Sequence, residues 1–274
     1  MKKWLKASLL LAIVAVLLAA CGGKGASGGD SKNIKIGATV GPYSDMVNQA
    51  IKPLLEKKGY KIEVVEFNDY IQPNKNLANK SLDANLFQHI VYMKKFAEDN
   101  KMDLTALISV PTAPMGIYSK KFTSIDQIAD GSTIAVANDP TNLARTLGLL
   151  QDAGLVKVNP NIDPATASEK DVTDNPHNFK IEPIEGAQLA RTLDSADVVA
   201  IPGNFALAAK LDLTTALKLE NMPENYRNQV VVRTDEADSQ LAKDLKEVVE
   251  SADFEKVIDD KFKGFSKPDW MKNR

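Results

Sequence analysis

Short apolar runs of strand length alternate with helical stretches through most of this chain. That alternation limits the possible fold more than any other feature, because a strand–helix rhythm needs sheets covered by helices. Strands are expected over Ile34–Thr39, Lys61–Phe67, Thr133–Ala137, Phe179–Ile184, Asp197–Ile201 and Gln229–Arg233. Helices are expected over Ser44–Lys58, His89–Asn100, Pro140–Ala153, Gly186–Asp194, Asn204–Leu211, Ser239–Glu250 and Asp253–Phe262. The class is α/β with mainly parallel sheets, whose binding crevices lie at the carboxyl ends of strands. The Pro140 helix has the clearest signals. Asp139 suits the N-cap, Pro140 the first helical position and Gly154 the stop. Leu143, Leu147 and Leu150 share one face, and Arg145 points away from that stripe.

Charge and cysteine usage exclude several function classes. The 274 residues carry 34 Lys+Arg against 36 Asp+Glu, so no basic excess exists to neutralise phosphates, and no nucleic-acid partner is expected. Cys21 is the only cysteine, so no internal disulfide can form. With His89 and His177 as the only histidines, a Cys/His zinc site lacks ligands. No cofactor is expected. His177 follows Asp174-Asn175-Pro176 in turn-like sequence and reads as a surface residue.

The amino-terminal stretch reads as a targeting segment. Lys2, Lys3 and Lys6 precede an uncharged run, Ala7–Ala20, which is too short for a bilayer span of about 20 residues and fits the apolar region of a secretory signal. Leu18-Ala19-Ala20-Cys21 resembles a bacterial lipobox, which implies cleavage before Cys21 and a diacylglyceryl group on its thiol. Two or more acyl chains anchor a protein stably where one does not. Residues 1–20 are thus the expected signal peptide and 21–33, with Gly22-Gly23-Lys24-Gly25-Ala26-Ser27-Gly28-Gly29, the expected flexible tether. The expected location is the extracytoplasmic face of the cell membrane. About 240 residues remain, enough for one large domain or two lobes.

Three blocks carry chemistry: Phe67-Asn68-Asp69-Tyr70 with Pro73-Asn74, Asp83-Ala84-Asn85-Leu86-Phe87-Gln88-His89 with Tyr92, and Asn138-Asp139-Pro140-Thr141-Asn142 with Arg145. In this order and spacing they resemble the methionine-binding lipoproteins of ABC importers, the NlpA lipoprotein family, over essentially the whole chain. Tyr118-Ser119-Lys120-Lys121 and Gly203-Asn204-Phe205-Ala206 match weaker blocks. The resemblance implies a pocket of Tyr70, Phe87, His89, Tyr92, Arg145, Asn204 and Asn228, the last resting on Tyr226-Arg227-Asn228. Pro202 stands where family members often have Asn, which removes a backbone donor beside Asn204.

The resemblance also implies two lobes joined at a hinge, 34–115 plus 226–274 and 116–225, with crossovers near Pro111–Ile117 and Tyr226–Val230. It implies L-methionine as ligand, with an ABC permease and its ATPase as partners. D-methionine, a methionine-containing dipeptide or another amino acid remain as alternatives. The residue types suit a free amino acid. Arg145 can take a carboxylate bidentately. Asn204 and Asn228 offer donors and acceptors to either charged end. Tyr70, Phe87 and Tyr92 can wall a thioether, each sulfur–aromatic contact contributing about 0.3–1.5 kcal/mol. No His-Glu-x-x-His motif is present and the only cysteine, Cys21, is taken by the expected anchor, so a hydrolase is not expected. Neither repeats nor a large exposed apolar stretch favours an adhesin.

Overall fold

The structure is a computed structural model that describes residues 32–272. Cys21, the signal segment 1–20 and most of the expected tether therefore lie outside the described residues. No described helix is long and apolar enough to cross a membrane.

Among the described residues twelve strands run in chain order: β1 (Lys32–Thr39), β2 (Tyr60–Phe67), β3 (Ala84–His89), β4 (Leu104–Ser109), β5 (Gly116–Tyr118), β6 (Thr133–Ala137), β7 (Lys157–Val158), β8 (Val172–Asp174), β9 (Lys180–Ile184), β10 (Val198–Ile201), β11 (Lys218–Leu219) and β12 (Asn228–Arg233). They build two five-stranded sheets, ordered β2-β1-β3-β12-β4 and β11-β5-β10-β6-β9, and a small β7-β8 ribbon. The two sheets with their helices form a two-lobed α/β fold.

Both sheets are mixed, where mainly parallel ones were expected. In the first, β1 and β3 are parallel while β12 runs antiparallel to both β3 and β4. In the second, β6 pairs in parallel with β9 and β10, and β5 runs antiparallel to β10 and β11. The antiparallel strands are the ones next to the passages between the sheets. The chain leaves the first sheet after β4 and returns at β12, so residues 110–115 and 220–227 join the two. Strands entered from the opposite sheet are free of the right-handed crossover that makes neighbours parallel.

Each sheet buries its own apolar core. Ile36, Leu86 and Val230 pack under Phe254, Leu245 and Met46 on the first. Ile134, Val136 and Val198 pack against Leu143, Leu147 and Leu150 on the second. The Leu143-Leu147-Leu150 stripe therefore does what its helical spacing predicts. The helix that bears it spans Pro140–Asp152, with Asp139 at its N-cap accepting from the Asn142 N–H at 2.9 Å. Gly154 follows in the left-handed region at φ 77, the conformation that glycine tolerates without strain.

Candidate functional site

One cavity lies between the carboxyl ends of β3, β6 and β10, where parallel strands hand over to helices or turns. It spans about 320 Å³ of atom-free space. All seven of the residues named from the sequence line it: Tyr70, Phe87, His89, Tyr92, Arg145, Asn204 and Asn228. His177 does not; it sits half exposed beside Asp130, Nδ1 to Oδ1 2.7 Å.

The aromatic wall is built from three elements. Asp69 accepts from the N–H groups of Ile71 and Gln72, both at 2.7 Å, and this turn presents Tyr70. β3 delivers Phe87 and His89 from its last residues, and the helix Ile90–Asn100 delivers Tyr92. The Tyr70 ring lies 5.9 Å from Phe87 and 5.8 Å from Tyr92, and it stacks on Phe205 at 4.8 Å. The Tyr92 hydroxyl donates to the Tyr70 carbonyl at 2.9 Å, which ties two of these rings together. Burial holds the Tyr70 and Tyr92 phenols well above their ordinary range, so both stay neutral.

His89 is not the first residue of its helix but the N-cap. Its Nδ1 accepts the Tyr92 N–H at 3.1 Å, so the proton sits on Nε2 and points to Asn142 Oδ1 at 3.3 Å. Burial, reinforced by the Arg145 charge and opposed by the Asn142 bond, lowers its pKa to about 3. His89 is thus a neutral ring with both nitrogens engaged, and it offers the cavity a wall.

The two asparagines differ in what they leave free. Asn204 Oδ1 accepts the Tyr70 hydroxyl at 2.7 Å, while its Nδ2 is buried with no partner. Asn228 is opposite His89 in the β12–β3 register, and its Nδ2 donates to the Phe87 carbonyl at 2.9 Å. Its Oδ1 accepts no hydrogen bond among the described residues. The two asparagines therefore leave the cavity one spare amide donor and one spare amide acceptor. A buried donor left unmade costs about 1–3 kcal/mol, a cost that an anionic oxygen at this spot would remove.

Arg145 is buried, although its helix position lies away from the leucine stripe. Two of its guanidinium nitrogens already have a partner within the protein: Nε donates to Glu220 Oε2 at 2.8 Å and Nη2 bonds Glu220 Oε1. Nη1 makes no hydrogen bond among the described residues. Burial opposes the Arg145 charge, but the Glu220 carboxylate outweighs it and raises the guanidinium's pKa. The Tyr226 ring adds a cation–π contact, 5.5 Å from centroid to Cζ.

Pro202 leaves Asn204 in place. Its carbonyl accepts the Phe205 and Ala206 N–H groups, both at 3.0 Å, and opens the helix Gly203–Ala208. A cap works through its carbonyl, so the missing N–H is not needed here. Gly203 sits where a Cβ would lie 2.4 Å from the Pro114 carbonyl oxygen, so only glycine lets this helix meet the 110–115 segment so closely.

The cavity also includes residues not anticipated: Tyr43, Gln88, Thr112, Ala113, Asn142 and Gly203. Burial pushes the Tyr43 phenol up to about 12. Asn142 and Gln88 fall inside the quoted blocks, so a signal existed for them. Tyr43 and Glu220 had none.

The model of the NlpA lipoprotein family matches residues 34–270. The D-methionine-binding lipoprotein MetQ of Salmonella typhi is 35% identical over 244 residues, 88% of this chain and 90% of that protein. A nutrient-binding protein from Burkholderia cenocepacia, solved bound to methionine, is 36% identical with a TM-score of 0.80, covering 84% of this chain and 97% of the other. An ABC transporter periplasmic substrate-binding protein from Coxiella burnetii is 33% identical with a TM-score of 0.80, covering 85% and 99%. This chain belongs to the NlpA lipoprotein family.

Proposed function

We propose that this chain captures free methionine, as the zwitterion, in the cavity between its lobes and delivers it to the permease of an ABC importer. The observation that carries the proposal is the unpartnered Asn204 Nδ2, buried in a cavity walled by aromatic rings. Asn204 Nδ2 and Arg145 Nη1 take the carboxylate, and Asn228 Oδ1 takes the ammonium. Tyr70, Phe87 and Tyr92 enclose the thioether. The relatives' own descriptions support this: the Salmonella protein is named for D-methionine, the Burkholderia protein was solved with methionine, and the Coxiella protein is a transporter component.

The lobes are 34–115 plus 226–274 and 116–225; their hinge lies in the passages 110–115 and 220–227, beside the crossovers expected near Pro111–Ile117 and Tyr226–Val230, because residues 116–118 and 228–233 are strand. Closing the hinge excludes water and strengthens the polar contacts. The chain binds and releases its ligand without chemical turnover. A diacylglyceryl group on Cys21 and the tether over 21–33 hold the lobes outside the membrane, where the permease, driven by its ATPase, receives the ligand.

Mass spectrometry of small molecules released on denaturing the freshly purified protein, followed by calorimetry with L- and D-methionine, tests this. The expected result is a released thioether amino acid and saturable heat with at least one enantiomer. No such molecule and no heat with either enantiomer overturns the proposal.

A further inference from the structure

Glu220 lies just past β11, at the start of the second passage between the sheets. Its side chain and that of Arg145 are each only 5% exposed. Besides its two bonds to the guanidinium, Glu220 Oε1 accepts the Met115 N–H at 2.6 Å, from the first passage. The carboxylate is therefore fixed by both connecting segments and the helix that bears Arg145. It is also not itself part of the enclosed cavity's lining, whereas Arg145 is. Arg145 stands between that cavity and an outer pocket lined by Glu220, Tyr226 and Asn221.

The charge inventory of the cavity is short. Arg145 is the only Arg, Lys, Asp or Glu among the described residues that line it, and the His89 ring is neutral at ordinary pH. The next carboxylate, Asp139, is spent on its own helix, accepting from the Asn142 backbone N–H, Asn142 Nδ2 and the Thr141 hydroxyl. With Glu220 beside it, Arg145 brings a local donor edge into the slot with no net charge.

We propose that Glu220 is a charge-selecting residue of the site: by neutralising Arg145 it makes the cavity favour a zwitterion over an anion or a cation with the same side chain. This deepens the proposed function and rests on it. An uncompensated guanidinium this deeply buried would welcome any carboxylate, with or without an ammonium. The ion pair removes that bias. An anion entering the neutral slot leaves a buried net charge and gives Asn228 Oδ1 nothing to accept from. A cationic amine leaves Asn204 Nδ2 unpaired. A free amino acid satisfies both and adds no net charge. Discrimination then comes from penalties on the wrong ligands rather than from a stronger grip on the right one.

Calorimetry on the folded chain with L-methionine, 4-(methylthio)butanoate and 3-(methylthio)propylamine tests the inference. The wild-type chain is expected to bind methionine at least tenfold more tightly than either analogue. Glu220→Gln keeps the shape and the Met115 acceptor but unmasks the Arg145 charge. It should narrow the gap between butanoate and methionine at least tenfold and weaken the amine further. Glu220→Asp keeps the charge and should keep the gap, even where overall affinity falls. Wild-type chain that binds methionine but binds butanoate equally well overturns the inference. So does folded Glu220→Gln with an unchanged gap, or Glu220→Asp closing the gap as Gln does. Should Glu220→Gln fail to fold, the wild-type ranking of the three ligands decides. Wild-type chain that binds no methionine defeats the proposed function itself, a distinct outcome.

Discussion

The Tyr70 hydroxyl donates to Asn204 Oδ1 at 2.7 Å across 134 residues of sequence, and so fixes which end of the Asn204 amide is left over. One residue comes from the turn after β2, the other from the helix after β10, so the bond also spans the two sheets. Its consequence is a donor, Nδ2, held toward the cavity with nothing in the protein to receive it.

Asn204→Ala should therefore weaken methionine binding by about ten- to a hundredfold, the range of a hydrogen bond to a charged group. Tyr70→Phe keeps the ring but frees the amide to turn, and should cost less, about three- to tenfold. Calorimetry on both variants checks the ranking. Equal affinity of wild type and Asn204→Ala contradicts the role given to Nδ2.

Stability and binding separate at Arg145. Arg145→Met strands the buried Glu220 carboxylate and should cost about 3–5 kcal/mol of folding stability. Arg145→Met combined with Glu220→Gln removes both charges and leaves an acceptor for Met115 N–H, so most of that stability should return. Binding should not return: both variants are expected to bind methionine at least tenfold more weakly, about 1.4 kcal/mol. Urea melts and calorimetry on the pair decide. Recovery of affinity in the double variant would show that Arg145 serves the fold alone.

Gly203→Ala places a Cβ 2.4 Å from the Pro114 oxygen and 2.7 Å from the Ala113 carbonyl carbon. Neither is a flexible side-chain end, so backbone must move. The expected cost is about 1–3 kcal/mol in stability. A loss of affinity should accompany it, because Asn204 is the next residue of the same helix. A melting curve matching wild type would mean that the 110–115 segment yields without strain.

The apolar periodicity made the helices at Pro140, Ser239 and Asp253 and the strands β1, β2, β6 and β12 legible in the sequence within a few residues. It did not reveal β3, whose six residues are all buried. A strand buried on both faces has no alternation to read, and this one carries polar Asn85 and Gln88 inside. Those residues are satisfied by each other and by Asn74: Gln88 Nε2 donates to Asn74 Oδ1 at 2.6 Å, and Asn85 Nδ2 donates to it at 3.0 Å. That amide cluster gives a physical reason for the Pro73-Asn74 and Asp83–His89 blocks to occur together, since it braces the strand that bears Phe87. Glu220 was invisible because its partner is 75 residues away and no local pattern marks a long-range ion pair. The aromatic residues and Arg145 were reachable only through block resemblance; singly, each fits an ordinary core or surface role.

His89 makes the fold sensitive to acid. Its pKa falls from 6.5 to about 3 on folding, chiefly through burial. Between those values the unfolded chain binds the proton and the folded chain does not, so stability rises with pH across that window. The contribution is complete above pH 6.5 and is lost as pH falls toward 3, with a limiting slope of about 1.4 kcal/mol per pH unit. Protonation at Nδ1 would also face an N–H with another N–H, because that nitrogen accepts from Tyr92 at the helix start. His89→Asn retains a side-chain oxygen that can cap the Ile90–Asn100 helix but does not titrate. Urea melts of the two proteins at pH 7.5, 6, 5 and 4.5 isolate the effect, since every other titrating group is common to both. The wild type should lose stability faster on acidification, with the difference opening below about pH 6.5. Parallel pH profiles would mean that His89 titrates alike in the folded and unfolded chains, and the neutral, doubly engaged ring described above would be wrong.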